Sequence, residues 1–233
     1  MSEVQVAAEI LGRSRAILLD FDGPVCGVFS GITDMTVSDV LREEIRRLGF
    51  EVPAAVEPQN DPLEVLRFAA TLGDPTVTAV DDRFRLAEIE AVALAAPTPY
   101  AIEFVRAAVA ASKKIAIVSN NSAEAVEAYL ERHQIRSAIG PIVGRAHARP
   151  DLMKPHPWSV LSALDRLGEP AEAAVLVGDS RTDMEVSVAT GVWGIGFANK
   201  EGKSEVLRRA GAAAIASGPR GMALLVEAVS WIH

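Results

Sequence analysis

Short apolar runs that alternate with helical segments constrain the fold of this chain more than any other feature. The first run ends at Asp20 and Asp22, and the runs cover residues 16–19, 114–119, 173–178 and 192–197. Runs of this length and composition are typical of strands that are buried on both faces of a parallel sheet. Strands that alternate with helices form βαβ units. The predicted fold class is therefore α/β, a Rossmann-like parallel sheet in a three-layer α/β/α core.

A helical insertion interrupts this alternation. Between about residue 33 and residue 96, apolar residues recur at three- and four-residue steps. Segments rich in Gly or Pro, residues 23–31 and 97–99, flank the insertion and are typical of linkers. We therefore predict two domains, a small α-helical cap of residues 26–96 and an α/β core of residues 1–25 and 97–233.

Polar residues follow three of the predicted strands. They are Asp20 and Asp22 after the first, Ser119 and Asn120 after the second, and Asp179 and Asp183 after the third. Ligands of open α/β sheets bind outside the carboxyl ends of the strands. Four converging carboxylates repel one another, which raises their pKa values unless a cation neutralises them. Oxygen ligands of this kind select a hard cation, and we expect Mg²⁺.

Two of these segments also fit purely structural roles. Ser180 through Asp183 fits a helix N-cap with an acid at the third position, and Asn121 with Glu124 fits a second capping pair. Hydroxyl and N–H groups at a helix N-terminus equally form an anion site, so Ser119 and Asn120 can hold a phosphate oxygen.

Lys154 lies between the acid motifs and is followed by Pro155 and Pro157 at a predicted helix start. A surface lysine is usually solvated, but one held in this way would be a fixed positive charge in an acidic site. Three further basic residues precede it, Arg145, His147 and Arg149. They would either add positive charge at the mouth of the site or be solvated loop residues, and the second interpretation is favoured.

Acid pair, hydroxyl, lysine and acid pair, in this order, form the four-motif pattern of the haloacid dehalogenase superfamily. The chain resembles that family over nearly its whole length, and within it the phosphoglycolate phosphatase-like subfamily with a helical cap. In the family the cap is inserted after the first strand. One residue departs from the family's phosphatases, which usually have Thr or Val where this chain has Pro24. Because proline lacks an N–H and fixes φ, the turn after Asp22 is expected to differ in shape.

The resemblance implies a role for each motif residue. Asp20 would be the nucleophile that forms an aspartyl phosphate, and Asp22 would be the general acid and base. Lys154 would be catalytic and would bind the phosphoryl group together with Ser119 and Asn120. The implied metal ligands are Asp20, Asp22, Asp179 and Asp183.

The resulting prediction is a Mg²⁺-dependent phosphatase that hydrolyses a small phosphate monoester. A phosphomutase is an alternative, because it would use the same residues and differ only in the acceptor of the phosphoryl group. The other alternative is a non-catalytic phosphate-binding or regulatory protein, for which Pro24 is the one hint.

The composition of the chain excludes several classes of binding partner and location. The net charge of −8 argues against nucleic acid or an anionic membrane, which both require a basic surface. The single Cys26 excludes an internal disulfide, and no apolar stretch approaches the roughly 18 residues that span a bilayer. The N-terminal stretch lacks the pattern of a secretory signal. We expect a cytoplasmic protein, a monomer or homodimer, whose partner is a small phosphorylated metabolite.

Overall fold

The computed structural model describes residues 2–218 and 220–231 and has a six-stranded parallel sheet at its centre. The strands, numbered along the chain, are β1 (Ala16–Leu19), β2 (Cys26–Gly27), β3 (Ala96–Pro97), β4 (Lys114–Val118), β5 (Ile142–Val143), β6 (Ala174–Gly178), β7 (Trp193–Ala198) and β8 (Ala214–Ser217). The order in the central sheet is β5-β4-β1-β6-β7-β8. The predicted α/β class is confirmed.

Helices cover both faces of this sheet. All helices of the described residues, numbered along the chain, are α1 (Glu3–Arg13), α2 (Asp34–Arg47), α3 (Pro62–Ala70), α4 (Asp74–Leu94), α5 (Ala101–Ala110), α6 (Ala123–Arg132), α7 (Trp158–Leu167), α8 (Arg181–Thr190), α9 (Lys203–Arg209) and α10 (Gly221–Ser230), of which α2 and α3 lie away from the sheet. Ile17 and Leu19 pack with α1, α5, α6 and α10, whereas Ala16 and Leu18 pack with α7 and α8. Because successive side chains of a strand point to opposite faces, the all-apolar β1 requires helices on both sides.

Helices α2, α3 and α4 form a separate bundle with an apolar core of its own, which contains Leu41, Leu66 and Phe84. Helix α3 begins with Asp61 as N-cap and Pro62 in the first turn, residue types that favour a helix start. The two predicted linkers pair with each other, because β2 and β3 form a short antiparallel ribbon. The bundle therefore joins the sheet through two adjacent, paired connections.

The register of the central strands sets the position of the site. Strand β1 lies between β4 and β6, and Leu19 pairs with both Ile117 and Val177. The residues that follow these strands therefore emerge side by side at one edge of the sheet. Within residues 2–218 and 220–231, no helix has the length and the hydropathy needed to cross a membrane.

Candidate active site

Lys154 lies at the centre of the polar cluster at this edge of the sheet. Its Nζ atom is 2.8 Å from Oδ1 of Asp20 and 2.5 Å from Oδ1 of Asp183, and it donates to the carbonyl of Val118 at 3.0 Å. The lysine side chain is only 2% exposed. A buried ammonium group needs partners of this kind, since burial favours the neutral form. The two carboxylates outweigh burial and hold the pKa of Lys154 above its usual value.

Three of the four predicted metal ligands converge. One carboxylate oxygen from each of Asp20, Asp179 and Asp183 lies within 4.8 Å of the other two. Burial, with Asp183 and Asp179 nearby, raises the pKa of Asp20 well above its usual value despite Lys154. Burial also raises the pKa of Asp179. Three hard oxygen donors, of which Asp20 and Asp179 are difficult to ionise without a cation, fit a divalent ion such as Mg²⁺.

Asp22 lies outside this group of three. Its Oδ1 accepts a hydrogen bond from the N–H of Val28 at 2.9 Å, and burial raises its pKa to about 6. The turn that follows tolerates Pro24, because its hydrogen bonds are donated by other N–H groups, among them Val25 to Phe21 O at 3.1 Å. That the turn differs in shape from the turn of the family's phosphatases stays a prediction, and here the loop folds back onto Asp22 through the hydrogen bond from Val28.

Gly23 is required by the close approach of this turn to Asp179. Its φ is +106°, and a Cβ atom there would lie 2.4 Å from Cγ of Asp179. Any side chain would therefore displace a predicted metal ligand and would also strain the backbone.

Asp183 has the capping role that its spacing predicted, in addition to its contact with Lys154. Ser180 is the N-cap of α8, and the Ser180–Asp183 capping box is complete. Oδ2 of Asp183 accepts from the N–H of Ser180 at 3.0 Å and from its hydroxyl at 2.6 Å. Burial raises the pKa of Asp183, but Lys154 and Ser180 outweigh burial and lower it. Asp183 is thus the ionised partner of Lys154.

The hydroxyl predicted to bind phosphate, that of Ser119, lies in a hydrogen-bonded loop after β4. Asn120 Oδ1 accepts from the N–H of Lys154 at 2.8 Å, and Ser119 Oγ accepts from the N–H of Asn121 at 3.1 Å. The predicted capping pair of Asn121 and Glu124 is wrong. Ser122 caps α6, because the helix begins at Ala123 and the Ser122 hydroxyl accepts from the N–H of Ala125, three residues further on. The Asn121 side chain is therefore left for other contacts.

The structure adds Lys203 to the site, a residue that the sequence did not indicate. It begins α9, and its Nζ forms an ion pair with Oδ2 of Asp179. The same nitrogen donates to Oδ1 of Asn199 at 3.0 Å. No motif marks this lysine, since it is one of several charged residues after β7.

The interpretation of Arg145 as a solvated loop residue is wrong. Its side chain is 1% exposed and forms ion pairs with Asp81 at 2.7 Å and Glu88 at 2.9 Å, both from α4. Its guanidinium also lies 4.2 Å from the ring centre of Phe84. Sequence distance hides this cluster, because Asp81 and Arg145 are 64 positions apart.

The other two basic residues of that segment remain at the surface. His147 contacts Asp82 at 2.8 Å, and Arg149 pairs with Asp151 at 2.7 Å. The side chains of His147 and Arg149, like those of their partners, are more than two-fifths exposed. The interpretation of these two basic residues as solvated is therefore correct.

Comparison with known proteins agrees with the geometry. The family model for haloacid dehalogenase-like hydrolases matches residues 74–197, which is just over half of the 233-residue chain. The chain belongs to the haloacid dehalogenase-like hydrolase family. A phosphoglycolate phosphatase from Rhodospirillum rubrum is 27% identical over 187 residues, which cover 76% of this chain and 77% of the relative. This distant similarity makes the chain phosphoglycolate phosphatase-like within the family.

Solved structures share the fold of this haloacid dehalogenase-like hydrolase. A haloacid dehalogenase-like family hydrolase from Streptococcus pneumoniae superposes with a TM-score of 0.65 at 18% identity, covering 95% of this chain and 99% of that chain. CbbY from Rhodobacter sphaeroides, solved in complex with xylulose-1,5-bisphosphate, gives a TM-score of 0.65 at 19% identity, covering 90% of this chain and 99% of that chain. The similarity extends over both the sheet and the helical bundle.

A cavity of about 650 Å³ opens above the acids of this family member, between the sheet and the helical bundle. Its floor includes Asp20, Ser119 and Lys154. The bundle contributes polar residues to the opposite wall, namely Asp34, Gln59, Asn60, Asp61, Glu64 and Arg67. The cavity has the size of a small-molecule site, and its polar floor and wall can hold a polar ligand.

Proposed function

We propose that the protein is a Mg²⁺-dependent phosphatase that hydrolyses a small phosphate monoester through an aspartyl phosphate on Asp20. The observation that carries this proposal is the contact between Lys154 and Asp20, 2.8 Å apart at the floor of the cavity. A buried cation beside a carboxylate at the end of β1 provides both a nucleophile and a positive charge for a phosphoryl group. The family membership and the distant phosphatase relative support the same chemistry.

Asp20, Asp179 and Asp183 are the residues that we propose to hold the metal ion, since their oxygens lie within 4.8 Å of one another. When bound, Mg²⁺ would neutralise these acids and the negative charge of the phosphoryl group. The sequence also placed Asp22 among the ligands. The bond from Val28 N–H engages one of its oxygens, and Asp22 remains a predicted ligand outside the group of three.

The phosphoryl transfer is assigned to Asp20 and Asp22. Oδ1 of Asp20 is held by Lys154 and by the N–H of Phe21 at 2.8 Å, whereas Oδ2 accepts no hydrogen bond from the described residues. Oδ2 would attack phosphorus, and the bond from phosphorus to the ester oxygen would break. Asp22, whose pKa of about 6 keeps a fraction of it protonated near neutral pH, would give its proton to that oxygen as the alcohol leaves.

The second step returns the enzyme to its starting state. The Asp22 carboxylate would take a proton from water as that water attacks phosphorus, and the bond from phosphorus to Asp20 would break. Lys154, Ser119 and Asn120 would hold the phosphoryl oxygens in both steps, because they are the polar groups beside Asp20 on the cavity floor.

The helical residues 26–96 are proposed to act as the cap, and residues 1–25 and 97–233 as the catalytic core. The cap wall carries three carboxylates, of Asp34, Asp61 and Glu64, and its one guanidinium, that of Arg67, pairs with Glu64. Such a wall disfavours a second anionic group on the substrate. We therefore propose a substrate with one phosphate and a polar remainder without another negative charge.

Phosphate release from a panel of phosphate monoesters, with Mg²⁺ and with excess chelator, tests this function. The panel should contain phosphoglycolate, a sugar bisphosphate, polyol monophosphates and amine-bearing monophosphates. Mg²⁺-dependent release from the last two classes is the expected result. Binding of phosphate without any turnover would indicate a non-catalytic protein instead. A requirement for a bisphosphate activator, with phosphate moved to another hydroxyl, would indicate a phosphomutase.

A further inference from the structure

Glu88 of α4 is a buried carboxylate with no part in the steps proposed above. Its side chain is 0% exposed, and each of its two carboxylate oxygens accepts two hydrogen bonds. Oε1 accepts from Nδ2 of Asn121 at 3.1 Å and from Nη1 of Arg145 at 2.9 Å. Oε2 accepts from the N–H of Ser122 at 3.1 Å and from Nη2 of Arg145 at 3.1 Å. A helix of the cap is thus hydrogen-bonded to the loop that follows β4 in the core.

These contacts determine how the Asn121 amide is oriented. A carboxylate at Glu88 only accepts hydrogen bonds, so the NH₂ group of Asn121 must face it. The amide oxygen then faces Ser119, whose hydroxyl donates to it at 3.1 Å. The same Ser119 oxygen accepts from the N–H of Asn121 at 3.1 Å. Glu88 therefore fixes, through one intervening side chain, the position of the Ser119 oxygen, which lies beside Asp20 on the cavity floor.

Arg145 alone does not account for a carboxylate at this position. Asp81 already accepts from Nε of Arg145 at 2.9 Å and from Nη2 at 2.7 Å, which provides one complete counter-ion for the guanidinium. A second buried negative charge costs free energy unless other donors stabilise it. For Glu88 these donors are Asn121 and Ser122, at the N-terminal end of α6, where the helix dipole favours an anion.

We propose that Glu88 is a positioning residue for the phosphate-binding loop Ser119–Ser122. The proposal rests on the proposed phosphatase function, in which Ser119 and Asn120 bind the phosphoryl group. Arg145 completes the arrangement from the other side, because its Nη1 donates to the carbonyl of Asn120 at 2.8 Å. The cap then contributes to phosphate binding in two ways. It lines the cavity, and its Glu88 accepts hydrogen bonds from Asn121 and Ser122 of the loop.

Asp81 provides a matched control for a substitution of Glu88. Both acids are buried on α4 and both pair with Arg145, but Asp81 bonds the N–H of Ala148 at 2.7 Å instead of the Ser119–Ser122 loop. Glu88→Gln places an NH₂ group against donors of the loop or of Arg145, and Asp81→Asn places one against Arg145 or Ala148. The two changes therefore disturb the ion-pair cluster alike and differ in their effect on the loop.

The experiment compares wild type, Glu88→Gln and Asp81→Asn. It measures the affinity for inorganic phosphate by calorimetry with Mg²⁺ present, kcat and KM for an aryl phosphate, and the free energy of unfolding. Both variants should lose stability. Glu88→Gln should weaken phosphate binding and raise KM by about tenfold, and Asp81→Asn should change either by less than about twofold. Equal effects of the two variants on phosphate affinity, or no effect of Glu88→Gln, would overturn the proposal.

Asn121→Ala tests the same link if Glu88→Gln does not fold. It removes the side chain between Glu88 and Ser119, and it should weaken phosphate binding to a similar degree, about tenfold. Unchanged phosphate affinity in this variant would also overturn the proposal. Because phosphate affinity is measured without turnover, the role of Glu88 is tested even if wild type releases no phosphate from any ester, an outcome that would reject only the proposed phosphatase function.

Discussion

The ammonium nitrogen of Lys154 lies 2.5 Å from Oδ1 of Asp183, and both side chains are buried. The pair joins two motifs that are 29 positions apart in the chain. Since Asp183 also caps α8 through Ser180, the position of the lysine depends on the start of that helix. The charge that would meet the phosphoryl group is thus held by an element of the core.

Asp183→Asn should lower the free energy of unfolding by about 3 kcal/mol, because removing one partner leaves a buried charge incompletely paired. Asp20 remains beside Lys154, so the effect should lie at the lower end of the range for buried pairs. Chemical denaturation measures it. The control is Asp151→Asn, which breaks an exposed pair with Arg149 and should cost less than about 1 kcal/mol. Equal stability losses would show that burial of the Lys154 pair contributes nothing extra.

Asp20→Asn should abolish phosphate release while the fold is retained, because an amide oxygen is a poor nucleophile and cannot form the aspartyl phosphate. Wild type in excess chelator should also lose activity. Phosphate release and circular dichroism, measured on the same samples, give both readouts. Full turnover by the variant would exclude Asp20 as the nucleophile, and full turnover in chelator would exclude the metal requirement.

Asp22→Asn should separate the two half-reactions on an aryl phosphate. The first step hardly needs an acid, because the aryl alcohol is a good leaving group, but water attack in the second step still needs a base. Loss of the base costs on the order of 10²- to 10⁴-fold. Stopped-flow absorbance should show a burst of about one equivalent of alcohol, followed by a stall with phosphate on the enzyme.

One outcome of the burst experiment would contradict the role of Asp22 as the base. If alcohol and phosphate of the Asp22→Asn reaction appear together at one slow rate, without a trapped phosphoryl-enzyme, Asp22 is not the base. Mg²⁺ affinity should be measured in parallel, because a variant that no longer binds the metal would also be slow.

The pKa of Asp22, raised to about 6 by burial, predicts how activity depends on pH. Protonation of the leaving oxygen needs the acid form, whose fraction falls about tenfold for each pH unit above 6. The ratio of kcat/KM for an alkyl phosphate to that for an aryl phosphate should therefore decrease as pH rises through 6 and beyond. Taking the ratio largely cancels the ionisation of the phosphate group itself. A ratio that does not change between pH 5 and pH 8 would exclude Asp22 as the acid.

Lys203→Gln should tighten Mg²⁺ binding, because Lys203 neutralises Asp179 and competes with a cation for its carboxylate. A partly exposed pair is worth about 1 kcal/mol, which corresponds to about a fivefold lower half-saturating Mg²⁺ concentration. Mg²⁺ titration of phosphate release measures this. Lys200→Gln is the matched control, since the charge of Lys200 lowers the pKa of Asp34, whereas the lysines that lower the pKa of Asp179 are Lys203 and Lys154. Weaker Mg²⁺ binding in Lys203→Gln would mean that the lysine supports the metal site.

The sequence predicted the sheet and the residues at its edge because both leave local patterns. An apolar run such as Ala16–Leu19 needs cover on two faces, and a polar residue directly after it must lie at a strand end. The same reasoning was insufficient at Asn121, where either of two adjacent residues can cap a helix. There the choice of Ser122 frees Asn121 for Glu88, a residue 33 positions away.

By itself the sequence determined the α/β class, the insertion after β1 and the set of residues that meet at the carboxyl ends of the strands, because periodicity and strand ends are local properties of a chain. Tertiary structure alone decided which charges are buried together. Asp81, Glu88 and Arg145 look like ordinary surface charges in the sequence, and Lys203 like one more solvated lysine. Asp81 and Glu88 meet Arg145 because packing of the cap against the core removes water from between them, and Lys203 meets Asp179 because the start of α9 lies near the end of β6.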